Sequence, residues 1–176
     1  MPANAVRETT MSRIRLPIGG AFAIAVAAIG ISSIALAQDQ NPATPNEVIF
    51  ARKALMNSIG ANMYVIDQML ETGNIDPVSG RANADTISAM LMAFPHLFPN
   101  STNLWTADNA ARNPATDTLA DAAIWESRSF FYKESMAASQ YAFDASRAQT
   151  VAEFRKSARD LRQTCDGCHA TFQHKD

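Results

Sequence analysis

Two cysteines and a histidine near the end of the chain have the types and the spacing to hold a prosthetic group. Cys165, Cys168 and His169 form the pattern C-x-x-C-H in the 176-residue sequence, and this pattern is typical of the attachment site of a c-type haem. Two thiols three residues apart on a helix lie on one face, so both can add to the vinyl groups of one porphyrin. The adjacent imidazole can then donate a ring nitrogen to the iron. The motif therefore predicts one haem c, with its iron, in each chain.

Three other roles for the two thiols fit the sequence less well. A thioredoxin-like redox pair usually opens a helix after a strand, whereas no strand pattern precedes Cys165. A zinc site needs four ligands, and His169 and His174 could complete a set with the cysteines, but one helix would hold these groups badly for a tetrahedron. A disulfide between the two thiols would close a very small loop. We favour haem and keep these roles as alternatives.

The first 37 residues have the features of an export signal. Three arginines precede an almost uninterrupted apolar run from Leu16 to Leu36, and residues 35–37 have the small-x-small pattern of a peptidase site. An uncleaved anchor is the alternative, because the run approaches the roughly 20 residues that span a bilayer. We expect a cleaved signal peptide at 1–37 and a periplasmic domain at 38–176, with no stable membrane insertion after cleavage.

The predicted export signal and the net charge of the mature chain restrict the functions that this protein can have. Covalent haem attachment in bacteria occurs outside the cytoplasmic membrane, so the signal and the C-x-x-C-H motif support one another. Cleavage would leave 139 residues, a single-domain length. It would remove three of the 15 basic and one of the 17 acidic residues, for a formal net charge of −4. A nucleic-acid partner would require a basic face, and we expect no such partner.

Four segments after the signal show apolar residues at alternating steps of three and four, which is typical of amphipathic helices. The expected bounds are 45 to 71 or 72, 77 to a point between 95 and 99, about 118–121 to 146, and 151 onwards. Residues 99–117 form a long loop, which suggests an overhand crossing or a cover over a site. No strand pattern occurs. The fold class is therefore predicted to be all-α, an antiparallel four-helix bundle.

The last two predicted helices carry the most informative apolar stripes. The stripe of the fourth helix contains both cysteines and consists of Val151, Phe154, Ala158, Leu161, Cys165, Cys168 and Phe172. Such bundles hold cofactors between facing helices, so we expect the haem in the bundle core near the C-terminus. The third helix has one stripe with Ile124 and Phe131 and a second with Tyr132 and Phe143. We expect it to be buried over more than half its circumference, or to face a partner as well as the core.

With these features the chain resembles the class II cytochromes c, the cytochrome c-prime family. The resemblance covers the whole mature chain, and its main feature is a C-x-x-C-H motif near the C-terminus. Further similarities are Arg-Lys-Ala-Leu-Met at 52–56, Leu-Phe-Pro at 97–99, Ile-Trp at 124–125 and the aromatic Phe172. Gln173 departs from the family, which usually has arginine or lysine there, and this change should alter the electrostatics beside the axial histidine.

The resemblance implies roles for five residues. It implies thioether bonds from haem to Cys165 and Cys168, with His169 as the proximal iron ligand. Arg52 resembles a first-helix arginine that lies near a haem propionate. Met56 falls at the family's distal position, where a methionine ligand gives a six-coordinate electron carrier and a non-ligating residue gives a five-coordinate protein that binds gases. From helical spacing alone, Met56 would be a core residue.

These features give a leading prediction and an alternative. Because residues 54–63 resemble the low-spin His/Met branch, the leading prediction is a periplasmic electron carrier with redox proteins as partners. The alternative is a five-coordinate cytochrome c-prime that binds nitric oxide or carbon monoxide at an open distal side. We expect no enzymatic activity, since a peroxidase would need a distal histidine or acid–base pair that this sequence does not offer.

Some further expectations concern assembly and side chains outside the motif. Dimerisation through the first two helices is common in the family, so a homodimer is a candidate assembly. His96 and His174 are predicted to be exposed and not to be ligands. Trp125 and Tyr132 are predicted to pack around the haem or the third helix.

Overall fold

The computed structural model describes residues 42–106, 113 and 116–175. Its helices are α1 (Pro45–Thr72), α2 (Pro77–Ala93), α3 (Ala123–Glu126), α4 (Arg128–Arg147) and α5 (Val151–Phe172), with 3₁₀ turns at Phe94–Leu97 and Asn100–Thr102. The four long helices form a four-helix bundle, which confirms the predicted fold class. The predicted signal peptide at 1–37 lies outside the described residues. Within the described ranges, no helix combines the length and the apolar content needed to cross a bilayer.

The ends of α1 follow the local sequence signals. The Thr44 side chain accepts a hydrogen bond from the Glu47 N–H, and the Glu47 carboxylate accepts one from the Thr44 N–H at 2.7 Å, which forms a capping box. Gly73 ends the helix with a φ of 74°, a left-handed conformation that glycine adopts without steric cost. Thr150 and Glu153 repeat the capping box at the start of α5.

The second and third predicted helices are each divided. The α-helical part of the second ends at Ala93, and the chain continues to Leu97 as a 3₁₀ turn, because Pro95 lacks an N–H and crowds the preceding turn. The prediction of an unbroken third helix was wrong, since Ser127, with φ of −120° and ψ of 44°, separates α3 from α4. Neither glycine nor proline marks this break.

Two hydrophobic clusters make up the core. The larger lies among the four long helices and includes Ile66, Ile87 and Leu161, each of them fully buried; burial of side chains of this size stabilises the fold by about 1.5–3 kcal/mol each. The smaller is mostly aromatic and consists of Phe94, Phe98, Ile124, Phe131 and Phe172. It lies at the end of the bundle that carries the C-x-x-C-H motif.

The second apolar stripe predicted for the third helix is only partly buried, since Trp125 packs against the smaller cluster while Tyr132 and Phe143 lie outside the core. Phe131 on the first stripe is 3% exposed, whereas Tyr132 is 46% and Phe143 is 43% exposed. Serines hold the inner face of α4 against α2 instead, because the Ser139 hydroxyl donates to the Ser88 carbonyl at 2.9 Å and the Ser135 hydroxyl donates to the Leu91 carbonyl at 3.0 Å. The helix is therefore buried on one side only.

The four long helices do not pack equally closely. The pairs α2/α4 and α4/α5 are the most extensive, and α1 and α5 contact each other least of all neighbouring pairs. The bundle is therefore most open between α1, which carries Arg52 and Met56, and α5, which carries the cysteines.

Candidate haem site

The C-x-x-C-H motif lies in the last turns of α5. Cys165 and Cys168 are half-buried free thiols, and they pack against the larger and the aromatic cluster respectively. They form no disulfide, so the disulfide alternative is wrong for this structure. Within the part of the chain that is described, no group of three or more His, Cys, Asp or Glu side chains is arranged to hold a metal ion. The arrangement therefore gives no support to a zinc site.

A cavity of about 440 Å³ opens beside the motif. It is lined by residues of α1, of the 3₁₀ turn after α2 and Phe98 that follows it, of segment 117–120, of α3, of the first turn of α4 and of the end of α5. Among them are Arg52, Lys53, Met56, Phe94, Phe98, Phe131, Cys168, His169 and Phe172. A second cavity of about 70 Å³ shares Met56, Cys168 and His169 with the first and adds Cys165. The two cavities thus bring together all five residues that the sequence singled out.

Arg52 is buried, with only 3% of its surface exposed, and two threonines hold its guanidinium. Nη1 donates to Thr102 Oγ1 at 2.9 Å, and Nη2 donates to the Thr102 carbonyl at 3.2 Å and to Thr118 Oγ1. The guanidinium also lies 4.6 Å from the centre of the Phe98 ring, a distance typical of a cation–π contact. Burial lowers the pKa of Arg52 to about 10, so the group remains charged at neutral pH.

Met56 is half-buried one helical turn after Arg52. It packs against both hydrophobic clusters and lines both cavities together with His169. Met56 is therefore surrounded like a core methionine. It also lines the same two cavities as His169, the predicted axial ligand.

The apolar setting controls the protonation of the motif. Burial raises the pKa of Cys165, and burial with the nearby Cys165 raises the pKa of Cys168 to about 11. The His169 ring is partly open to solvent, yet desolvation, followed by the charge of Arg162, lowers its pKa. At neutral pH the imidazole is therefore neutral, which is the form that donates to a metal.

Arg162 joins α1 to α5 at the edge of the smaller cavity. Its Nη1 lies 3.2 Å from Asp67 Oδ2, and its Nε donates to Asp166 Oδ1 at 3.1 Å. The hydrogen bond from Arg162 holds the pKa of Asp166 below its usual value. This ion pair fixes the α1/α5 spacing beside the motif, where the two helices otherwise make few contacts.

A family model described as Cytochrome C′ matches residues 47–173, which is most of the sequence. The chain belongs to the cytochrome c′ family. Solved structures with the same fold include cytochrome c′ from Thermochromatium tepidum (TM-score 0.66, 19% identity) and from Shewanella frigidimarina (TM-score 0.65, 19% identity). A third is the nitric oxide complex of a variant of Alcaligenes xylosoxidans cytochrome c′ (TM-score 0.63, 15% identity). Each match covers 77% of this chain and 100% of the other. No curated protein matches the chain.

Members of the cytochrome c′ family bind a covalently attached haem c, and the residues of this cytochrome c′ fit that group. The free thiols of Cys165 and Cys168 would supply the sulfur atoms for such a group, and His169, whose pKa is lowered, would supply a nitrogen donor. Aromatic side chains give the larger cavity an apolar wall, and the cations of Arg52 and Lys53 lie on the same wall. An apolar ring with two carboxylate tails requires this combination of surfaces.

Sequence reasoning missed three residues at the cavity. Thr102 and Thr118 hold Arg52 but lie 50 and 66 residues from it, and no local pattern connects them. Asp117 lines the cavity, and among the described residues its buried Oδ2 has no hydrogen-bond partner. Asp117, at the end of the predicted long loop, thus lines the cavity, and Thr102, near its start, supports Arg52.

Two histidines and an aromatic residue test the remaining side-chain predictions. His96 is exposed, as predicted, and contacts the edge of Tyr132. Tyr132, which was predicted to pack around the haem or the third helix, is 46% exposed. The prediction of an exposed His174 was wrong. Its ring is half-buried, stacks on Trp105 at 3.5 Å and pairs with Asp121 at 3.0 Å.

Proposed function

We propose that this cytochrome c′ holds haem c by thioether bonds at Cys165 and Cys168, with His169 as the axial ligand, and that it binds a small gas. Haem iron supplies a position at which nitric oxide or carbon monoxide can coordinate. The observation that carries the proposal is that His169 shares one largely apolar cavity with Met56, Phe94 and other core side chains.

The apolar wall selects the ligand. Phe94, Phe98 and Phe131 contact one another, with ring centres 4.8–6.2 Å apart, and they leave little hydrogen-bonding capacity on that side of the cavity. A strongly hydrated ligand would lose its water there without replacement, whereas nitric oxide and carbon monoxide lose little. The nitric oxide complexes among the similar solved structures support this choice of ligand.

A second candidate function is electron transfer with Met56 as the sixth ligand. It is favoured by one observation, that Met56 and His169 line the same two cavities. A thioether ligand stabilises ferrous iron and raises the reduction potential. In this case the partners are redox proteins. Neither candidate includes bond-making on a substrate, so we propose no enzymatic activity.

Carbon monoxide binding to the ferrous protein separates the two candidates. If the distal position is open, the wild type binds carbon monoxide rapidly, and Met56→Ala binds it with a similar or modestly higher rate. If Met56 ligates, the wild type resists carbon monoxide, and Met56→Ala gains binding by orders of magnitude. Met69→Ala is the matched control, because Met69 is a buried methionine of α1 that lines neither cavity.

Arg52 is proposed to stabilise a haem propionate. The charge of Arg52 is fixed at the cavity wall by Thr102 and Thr118, and a fixed buried cation attracts a carboxylate more strongly than a solvated one does. Haem-loaded Arg52→Gln should therefore show a shifted reduction potential. An unchanged reduction potential would contradict a contact between Arg52 and a haem propionate.

We further propose that the mature protein is periplasmic and forms a homodimer. Cleavage after residue 37 is checked by the mass of the exported protein.

The outward face of α1 carries an uncharged stripe of Phe50, Ala54, Asn57, Ala61 and Tyr64, in which Phe50 is 58% and Tyr64 is 64% exposed. A stripe with aromatic ends and a small-residue centre is complementary to a second copy of itself. A purely monomeric protein in sedimentation experiments would contradict the dimer.

A further inference from the structure

Three side chains from distant parts of the sequence meet beside the end of α5. The His174 ring lies on the Trp105 indole, with ring centres 3.5 Å apart and planes inclined by 16°. His174 Nε2 lies 3.0 Å from Asp121 Oδ2, while Asp121 Oδ1 accepts a hydrogen bond from the Ala123 N–H at 2.8 Å. Stacking fixes the plane of the imidazole, and the carboxylate fixes its rotation. We refer to Trp105, Asp121 and His174 as the C-terminal clamp.

The main chain reinforces the clamp. The His174 N–H donates to the Leu119 carbonyl at 2.8 Å, and the Asp121 N–H donates to the Phe172 carbonyl at 2.9 Å. These bonds form an isolated antiparallel bridge between Ala120 and Gln173. Residues 172–174 are therefore attached to residues 119–121 by backbone and side chains together.

The attachment continues to His169 through the last turn of α5. The Gln173 N–H donates to the His169 carbonyl at 3.2 Å, and Phe172 is buried against Phe131 with ring centres 5.2 Å apart. His169, Gln173 and His174 also line one cavity of about 400 Å³. Chain termini fray unless they are tied down. Here the buried Phe172 and the C-terminal clamp hold the residues that directly follow the motif.

We propose that the C-terminal clamp positions the axial histidine. By holding residues 172–174 against 119–121, the clamp keeps the last turn of α5 formed, and this turn sets the direction of the His169 ring. Trp105 and His174 are positioning residues that act through the backbone and are not ligands. Residues outside the ligand set are known to orient metal-binding histidines, and here the connection runs through the hydrogen bond from the Gln173 N–H to the His169 carbonyl. The inference rests on the proposed haem attachment at Cys165 and Cys168.

The test compares haem-loaded variants of the full mature protein. Trp105→Ala and His174→Ala open the clamp, and Trp105→Phe keeps an aromatic ring for stacking. His96→Ala is the matched control, because it removes an exposed histidine that contacts the edge of Tyr132 and lies outside the clamp. The readouts are the iron–histidine stretching frequency by resonance Raman spectroscopy, the reduction potential, and amide hydrogen exchange of residues 170–175.

The clamp predicts that both alanine variants lower the stretching frequency, shift the potential and accelerate exchange at 170–175. Trp105→Phe and His96→Ala should keep wild-type values. Faster exchange with unchanged frequency and potential would overturn the proposal, because the clamp would then hold only the chain end. The mass and optical spectrum of the wild type report haem attachment separately. If attachment fails, the proposed function fails, and exchange in the alanine variants still decides whether the clamp holds the last turn.

Discussion

Arg52 keeps a charge inside the protein because oxygen atoms from two distant segments replace its water. Thr102 supplies a hydroxyl and a carbonyl, and Thr118 supplies a second hydroxyl. A buried charge without such partners would cost several kcal/mol. These hydrogen bonds join α1 to both ends of the long loop, so a single side chain contributes to stability as well as to the cavity wall.

Replacement of Thr102 by valine tests this network. Thr102→Val keeps the shape of the side chain but removes the hydrogen bond that the hydroxyl accepts from Arg52 and the one that it donates to the Pro99 carbonyl at 2.8 Å. Because one of these involves a charged group, the free energy of unfolding should fall by about 1.5–3 kcal/mol in urea titrations. The control is Thr86→Val, at an exposed threonine of α2 that bonds only within its own helix; its effect should stay within about 0.5 kcal/mol. Equal effects of the two substitutions would contradict a supporting role for the Arg52 network.

At the scale of single residues, those that belong to a local sequence pattern could be predicted, whereas their partners in the tertiary structure could not. Cys165, Cys168 and His169 were readable because their spacing is itself the chemical requirement. Arg52 and Met56 came from family resemblance. Thr102, Thr118 and the Trp105–His174 stack depend on tertiary contacts across 50 residues or more, and threonine and tryptophan outside the helices have many other uses.

At the scale of the elements, Gly80 of α2 lies directly against the Phe154 ring of α5. A Cβ atom built at Gly80 would lie 2.7 Å from the Phe154 ring, and Phe154 is itself buried. Gly80→Ala should therefore lower the free energy of unfolding by about 1–3 kcal/mol, the usual cost of overpacking. Gly60→Ala is the matched control, since nothing lies within 4 Å of its added Cβ, and it should stabilise the helix by up to about 1 kcal/mol. If both substitutions lowered the free energy of unfolding, the loss would arise within the helices and not from the contact between Gly80 and Phe154.

The capping boxes give the bundle an acid-sensitive component. Hydrogen bonds from Thr44 lower the pKa of Glu47 below 4.5, and those from Gln149 and Thr150 lower the pKa of Glu153. A carboxylate with a lower pKa in the folded state contributes stability above its unfolded pKa, and this stability is lost as the pH falls through the folded value. The double variant Glu47→Gln/Glu153→Gln should therefore lose stability at pH 7 and show a shallower decline below about pH 4.5.

Thermal unfolding between pH 3 and pH 7 measures this difference. Glu71→Gln is the control, since Glu71 lies outside both capping boxes. A double variant whose stability declines with acid as steeply as the wild type would show that the two caps contribute nothing to the pH dependence.

Helix termini were predictable where the signal is local. Thr44, Thr150 and Gly73 act through neighbouring backbone groups, and the structure places α1 and the start of α5 where these residues indicated. The break at Ser127 has no such signal. It accompanies α3, whose Trp125 donates to the Phe98 carbonyl at 3.1 Å, and this contact belongs to the tertiary structure.

For the whole molecule, the site arises because the bundle closes incompletely. Three neighbouring helix pairs pack extensively, and α1 and α5 remain apart, so the cavity lies between the helix with Arg52 and Met56 and the helix with the motif. The periodic apolar stripes predicted the bundle, and the motif within the last stripe predicted the end at which the cavity lies. The stripes could not predict whether Met56 ligates the iron or only lines the cavity, because a ligand and a core residue at this position have the same helical spacing.

The most direct test of the proposed function is the optical spectrum of the haem-loaded protein in both oxidation states. An open distal position predicts a five-coordinate, high-spin spectrum for the ferric and the ferrous protein, and the same spectrum for Met56→Ala. A low-spin spectrum with a sulfur-to-ferric-iron charge-transfer band that disappears in Met56→Ala would contradict gas binding at an open site and establish the electron carrier.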